Sequence, residues 1–226
     1  MASNDIGSFR KETISFTAER FYDGRIPVPF HRLSQSGRRL LWHLQGPLRS
    51  AISVMGEDCN PDGPREPYIH GNDRHPISND PITEQPMIIV VVIEKALDDW
   101  EDEWWDHNYE RVGESILPTP EDLPQRSGPL LVTASNGEFV SVHDYVSVVH
   151  LWLMKRREKI LQARHVADPD YVPGAFEEKL LVSVHDAEVV DAGDEEEVLQ
   201  MLREIFESNK RREGNSRLQE QEPASC

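Results

Sequence analysis

Seven consecutive apolar residues, Met87-Ile88-Ile89-Val90-Val91-Val92-Ile93, stand between Pro86 and Glu94. All but the first are β-branched, and β-branched side chains suit a pleated strand better than a helix. Successive side chains of a strand point to opposite faces, so a run that is apolar at every position predicts a strand covered on both sides. A chain built around it needs a sheet with packed layers, and the composition excludes collagen-like, coiled-coil and fully disordered classes.

The other elements follow from punctuation and period. Leu40-Leu41-Trp42-His43-Leu44 predicts a strand stopped by Gly46-Pro47. From Gly56 to Pro86, prolines 61, 64, 67, 76, 81 and 86 leave no apolar period, which predicts a long loop or disordered insert. Leu97, Trp100 and Trp104 recur at helical spacing and predict a short helix to about His107, and a Pro-rich connector follows from Leu117 to Pro129. Leu130–Thr133 reads as a strand, Asn136-Gly137 as a turn, and Glu138–Val140 as a return strand. Ser141 with Asp144 predicts a helix cap, and Val142, Tyr145, Val146, Val149, Trp152 and Leu153 form the buried stripe of a helix over 142–164. Leu180–Val184 is a further strand, and Asp194 with Glu195–Glu197 opens a helix through 207. The expected class is α+β, a mixed sheet of about four to five strands with two main helices, a long Pro-rich loop and a mobile C-terminal tail. The expected layout is a polar arm or weak hairpin over 1–36, one domain over 37–207 carrying the insert at 56–86, and a disordered tail over 208–226.

The run Leu131-Val132-Thr133-Ala134-Ser135-Asn136-Gly137-Glu138-Phe139-Val140-Ser141-Val142-His143-Asp144-Tyr145-Val146, with His150 late in the helix, resembles the strand, Asn-Gly turn, strand and helix signature of a large fungal family of uncharacterised small proteins. That family also carries an upstream L-x-W-D-L strand followed by proline, to which Leu40–Leu44 with Pro47 is similar, His43 standing in place of the acid. The resemblance covers residues 40–47 and 130–153. It implies a fungal-type intracellular α+β domain, and it supplies no catalytic residue because the family has no established activity.

Charge narrows the partners. The formal net charge is −17, and two segments hold all of the excess: Glu94–Asp122, with 11 acidic and 2 basic residues, and Glu177–Glu197, with 9 and 1. Such surfaces repel phosphate backbones and anionic lipid, so neither nucleic acid nor a membrane is expected as partner, and a protein with a basic surface is. No apolar run approaches the ~20 residues of a spanning helix, and the polar start Met1-Ala2-Ser3-Asn4-Asp5 shows no secretory signal. Cys59 and Cys226 are the only cysteines. They form neither a disulfide framework nor a zinc site, so a reducing compartment is expected, the cytoplasm or, given Lys155–Arg157 and Lys210–Arg212, the nucleus.

Two constellations compete as sites. The first is Asp98-Asp99-Trp100-Glu101-Asp102-Glu103-Trp104-Trp105-Asp106, where Trp100, Trp104 and Trp105 could anchor a basic partner steered by carboxylates such as Asp102 and Glu103. The alternative places Trp100 and Trp104 on the core face of a surface helix. The second is a repeated pentapeptide, Val140-Ser141-Val142-His143-Asp144 and Val182-Ser183-Val184-His185-Asp186. Were the two segments parallel neighbours, His143, Asp144, His185 and Asp186 would converge on a divalent metal and hydrolytic or oxygenase chemistry. The alternative is chance plus helix capping. His70 to His75 reads as surface loop, and His150 as a buried histidine satisfied by hydrogen bonds. No G-x-S-x-G elbow, G-x-x-x-x-G-K-[ST] loop or G-x-G-x-x-G turn occurs. The expectation is therefore a non-enzymatic protein-interaction domain without cofactor or metal. The rivals are a small metal-dependent enzyme and an accessory protein in a fungal biosynthetic pathway.

Overall fold

The structure is a computed structural model that describes residues 31–100, 128–167 and 179–219. The elements run α1 (Gln35–Arg38), β1 (Leu40–His43), α2 (Leu48–Ala51), β2 (Ile52–Met55), β3 (Arg65–Pro67), β4 (Ile69–His70), β5 (Asp73–Arg74), a 3-10 turn (Pro76–Asn79), β6 (Ile89–Glu94), β7 (Leu130–Thr133), α3 (Val142–Met154), α4 (Arg157–Ala167), β8 (Leu180–Asp186), β9 (Val189–Asp194) and α5 (Glu195–Gln219). Residues 95–100 are also helical. The class is α+β, as the periodicity implies, but the mixed sheet is larger than expected. Seven strands lie in the order β3-β2-β1-β8-β9-β6-β7, and of these pairs only β6 with β9 is parallel.

Period-2 alternation divides the sheet's side chains between two layers. Leu40, Trp42, Ile52, Val54, Leu180, Val182, Val90, Val92 and Val132 point to the face covered by α3 and α4, where Tyr145, Val146, Val149, Leu153, Ile160 and Ala163 complete the main core. Leu41, Met55 and Leu181 point the other way and meet Val198 of α5. Gly193 belongs to this second contact. A Cβ there would lie 2.9 Å from a Val198 methyl, so its absence lets α5 lie close to the end of β9.

Several expectations need correction. The strand at 87–93 is not central. β6 lies next to the edge strand β7, and only its alternate residues Val90, Val92 and Glu94 are buried, while Ile89 is 47% exposed. An unbroken apolar run gives strand propensity but does not say whether both faces are covered. Residues 56–86 are not an unstructured insert. They hold β3, the β4–β5 hairpin with Gly71 at φ +61, and core residues Tyr68, Ile77 and Ile82. Pro67 ends β3 and Pro76 opens the 3-10 turn, and the other prolines lie in the turns and connections between elements. No return strand follows Asn136-Gly137. Asn136 accepts the N–H groups of Glu138 (2.8 Å) and Phe139 (3.0 Å), Gly137 takes φ +75, and the chain turns straight into α3. The helix expected over 142–164 is two helices, its first ending where the Arg156 N–H bonds Leu153 O at 2.9 Å in a tightened last turn. α5 continues to Gln219 rather than stopping at 207, because Glu, Lys, Arg and Gln are good helix formers even where no apolar stripe persists. The hairpin proposed within 1–30 and the residues after Gln219 lie outside the described residues.

The cap at Ser141 is as the sequence implies. The Ser141 hydroxyl accepts the Asp144 N–H (3.1 Å), and an Asp144 oxygen accepts the Ser141 N–H (3.0 Å). Burial works to raise the Asp144 carboxyl, but bonds from Ser141 and Ser135 together outweigh it and hold the group below the usual range. Asp144→Ala should therefore destabilise the fold by ~1–2 kcal/mol, read as a lower urea midpoint with an unchanged slope. An unchanged midpoint would show that the box contributes nothing.

A second tie joins β1 to α3. The Trp42 indole N–H donates to His150 Nδ1 at 3.0 Å, and His150 Nε2 lies 2.9 Å from Gly46 O. Both rings are buried, so His150 is the satisfied core histidine that its helix position suggests.

Candidate binding cleft between the last helix and the sheet

α5 starts in close contact with the sheet and then leaves it. Val198 is 7% exposed, and two turns later Ile205 is 48% exposed. The divergence leaves a cleft of about 580 Å³, within the size range of ligand-binding pockets. Its floor is the outer face of β1, β2 and β8, namely Leu41, Met55 and Leu181, and its wall is Met201, Leu202, Ile205 and Phe206 of α5. The rim comes from α1 and the turn after β2. There Gln35 Nε2 donates to Glu57 O at 2.6 Å and lies 3.9 Å from Cys59 Sγ. On the far side of α5, Arg203 makes paired bonds of 2.9 and 3.0 Å to Asp62, fixing the helix to the segment that carries the rim. That contact holds the Asp62 carboxyl below its usual range.

One polar group stands out on the floor. Ser183, 7% exposed, follows Leu181 on the same face of β8 and lines the cleft. His185 comes two residues later at the mouth and is exposed. Nothing here forms a nucleophile and base: neither Ser183 nor Cys59 hydrogen-bonds a histidine among the described residues. Burial pushes the Cys59 thiol up, against the pull of Arg38 and Arg39, which keeps it in the weakly reactive protonated form.

The structure separates the paired His-Asp motifs. His143 and Asp144 lie in the first turn of α3, whereas His185 and Asp186 end β8, whose neighbours are β1 and β9. The parallel adjacency that convergence requires is absent, and Asp144 is engaged by the cap. His143 stacks on Tyr68, its Nδ1 3.3 Å from the Tyr68 hydroxyl, and burial with the nearby Arg74 lowers its pKa, against the pull of Asp144. Among the described residues no three His, Cys, Asp or Glu side chains gather in a way that could hold a metal ion.

Trp100 is half-buried against the main core, its indole N–H enclosed without a partner among the described residues. Trp104, Trp105, Asp102 and Glu103 lie outside the described residues. His75 caps the 3-10 turn, accepting the Ile77 N–H at 3.3 Å, and lies 3.3 Å from Glu66.

Compared with protein-family models, curated proteins and solved structures, the chain matches none. The cleft must therefore be read from its own chemistry. Sequence reasoning missed it, because 198, 199, 202, 205 and 206 look like one core-facing stripe. Only the divergence of α5 from the sheet turns the later positions into a wall. Among the described residues no helix is long and apolar enough to cross a membrane.

Proposed function

We propose that this chain is a non-enzymatic protein-interaction domain, and that its recognition site is the cleft between α5 and the sheet. The partner would offer an amphipathic segment, apolar along one side and basic along the other. The observation that carries this reading is the cleft itself, with its apolar floor and α5 wall and, among the described residues, no assembled catalytic group beside it. The apolar side of the segment would pack between Leu181 and Ile205, a helix-in-groove mode. Its basic side would meet Glu57 and Asp58 at the rim. Of the arginines lining the cleft, Arg38 is matched to Glu84 (2.5 Å), and Arg32 and Arg212 stand with it at the margin. The chain's net charge of −17 would speed encounter with a basic segment and slow it with nucleic acid. A cytoplasmic or nuclear setting belongs to the same proposal.

Peptides selected on the immobilised full chain from a random library test it. Selected sequences should combine Lys or Arg with apolar residues at helical spacing. Their binding should shift the amide resonances of Ser183 and Met201, and should weaken at least ~10-fold in Ile205→Glu, a partly exposed position where a charge has little effect on folding. Selection of acidic peptides, or binding indifferent to Ile205→Glu, would overturn the proposal.

A further inference from the structure

The two edges of the sheet differ in a way that bears on assembly. β3, at one end, is Arg65-Glu66-Pro67, exposed throughout, with two charges and a proline. Charges and proline are the devices that keep an edge from pairing with another chain. β7, at the other end, is Leu130-Leu131-Val132-Thr133 and has neither. No residue is charged from Gly128 through Gly137, nor from Met87 through Ile93 on the neighbouring stretch.

The register shows what this edge offers. In the antiparallel pair β6–β7, Val90 faces Val132 and Val91 faces Leu131. The Ala134 N–H donates to Ile88 O at 2.9 Å, so the alternate residues Val132 and Leu130 also turn their backbone groups toward β6. The N–H and C=O of Leu131 and Thr133 therefore point outward from the sheet. On the face opposite α3, Ile89 is 47% and Leu131 56% exposed, and adjacent Ile88 is 55% exposed. α5 lies over β8 and β9 and leaves this apolar strip open.

We propose that β7 pairs antiparallel with β7 of a second copy of this chain, about a two-fold axis at Val132. The outward groups fix this register. Leu131 of each copy lies opposite Thr133 of the other, each pair exchanging two N–H···O bonds, with Val132 opposite its own mate. The side-chain faces then agree as well. Val91, Leu131 and Ile89 of one copy continue across the seam into Thr133, Leu131 and Ile89 of the next, giving one apolar strip on a sheet that no longer ends at β7. Charge favours the same contact. Two molecules of net charge −17 repel least where neither carries a charge, and neither β7 nor Met87 through Ile93 beside it holds one. The surface is distinct from the α5 cleft, so the two proposals stand or fall separately.

Sedimentation velocity of the full chain between about 5 and about 500 µM tests the pairing, since mass action makes a micromolar dimer visible across that range. A reversible dimer is expected. The Leu131 and Thr133 amides, which face no strand among the described residues, should exchange with solvent at least ~10-fold more slowly at the higher concentration. Leu131→Lys puts a charge on the edge, and Thr133→Pro deletes an outward N–H while leaving the β6 ladder intact. Both should be monomers with a circular dichroism spectrum like the parent's, and Leu131→Lys carries the test if the proline variant fails to fold. Leu151→Lys, on the exposed side of α3, should keep the dimer. A monomer throughout the range would overturn the proposal. So would exchange at Leu131 and Thr133 that ignores concentration, a dimer that survives Leu131→Lys, or one lost equally in Leu151→Lys.

Discussion

Replacing His150 with leucine is expected to cost ~3 kcal/mol and to lower the thermal midpoint by roughly 10 °C for a chain of this size. The reason lies in the two bonds that the ring makes. Trp42 Nε1–H donates to Nδ1 at 3.0 Å, and Nε2 lies 2.9 Å from Gly46 O, so the tautomer with its hydrogen on Nε2 satisfies both neighbours. Leucine fills much of the volume but leaves a buried indole N–H and a carbonyl without partners, the costly half of the hydrogen-bond asymmetry. Trp42→Phe should destabilise similarly, because it orphans His150 Nδ1 and opens space beside a ring that is 1% exposed in the parent. The double variant should cost clearly less than the two singles together, since removing both partners removes the orphan. Urea unfolding of the four proteins gives the cycle, and strict additivity would show that the bond carries no coupling.

Glu94 should make the fold less stable as pH rises through the weakly acidic range. Its carboxylate is 2% exposed at the end of β6, where it accepts the N–H of Leu97 (2.8 Å) and of Ala192 (3.3 Å). Burial raises its pKa to about 7 from 4.5, with Asp191 adding to the rise and the backbone donors opposing it. The folded state therefore holds this proton more tightly than the unfolded chain. The stabilisation is complete below pH 4.5, declines as pH climbs toward 7, and is gone above that, a loss of about 3 kcal/mol. General self-repulsion of an acidic chain has the same sign, so comparison with Glu94→Gln isolates the effect. The amide keeps an acceptor for Leu97 without the charge. Glu94→Gln should match the parent near pH 4.5 and exceed it by up to about 3 kcal/mol at pH 8. A constant difference across that interval would show that Glu94 titrates like an exposed glutamate.

Where periodicity extended over several turns, the elements could be read directly. The α3 stripe is buried as its spacing implies, the Ser141–Asp144 box forms, and the apolar runs at 40, 130 and 180 are strands. Short elements were not legible. β2 is four residues between α2 and Gly56, and β9 is Val189-Val190-Asp191-Ala192-Gly193-Asp194, whose acids and glycine look like a loop until β8 pairs with it along its length. Strand length and polarity are weak signals when a neighbouring strand supplies the hydrogen bonds.

The candidate sites divide along the same line. His185 was visible as chemistry, yet its setting at a cleft mouth beside Ser183 depends on where α5 leaves the sheet. The repeated pentapeptide has two local fates, helix cap and strand end, because Ser141 follows a turn while Ser183 sits within a ladder. The sequence by itself determined the class, the acidic charge, the helix caps and the alternation that sorts side chains to two faces, since each rests on contacts within a few residues. Tertiary structure alone decided strand order, the place of β7 at the edge with β6 beside it, the Trp42–His150 tie and the cleft. Each of those depends on residues tens of positions apart meeting in space, and no local pattern encodes which partner a strand or helix will find.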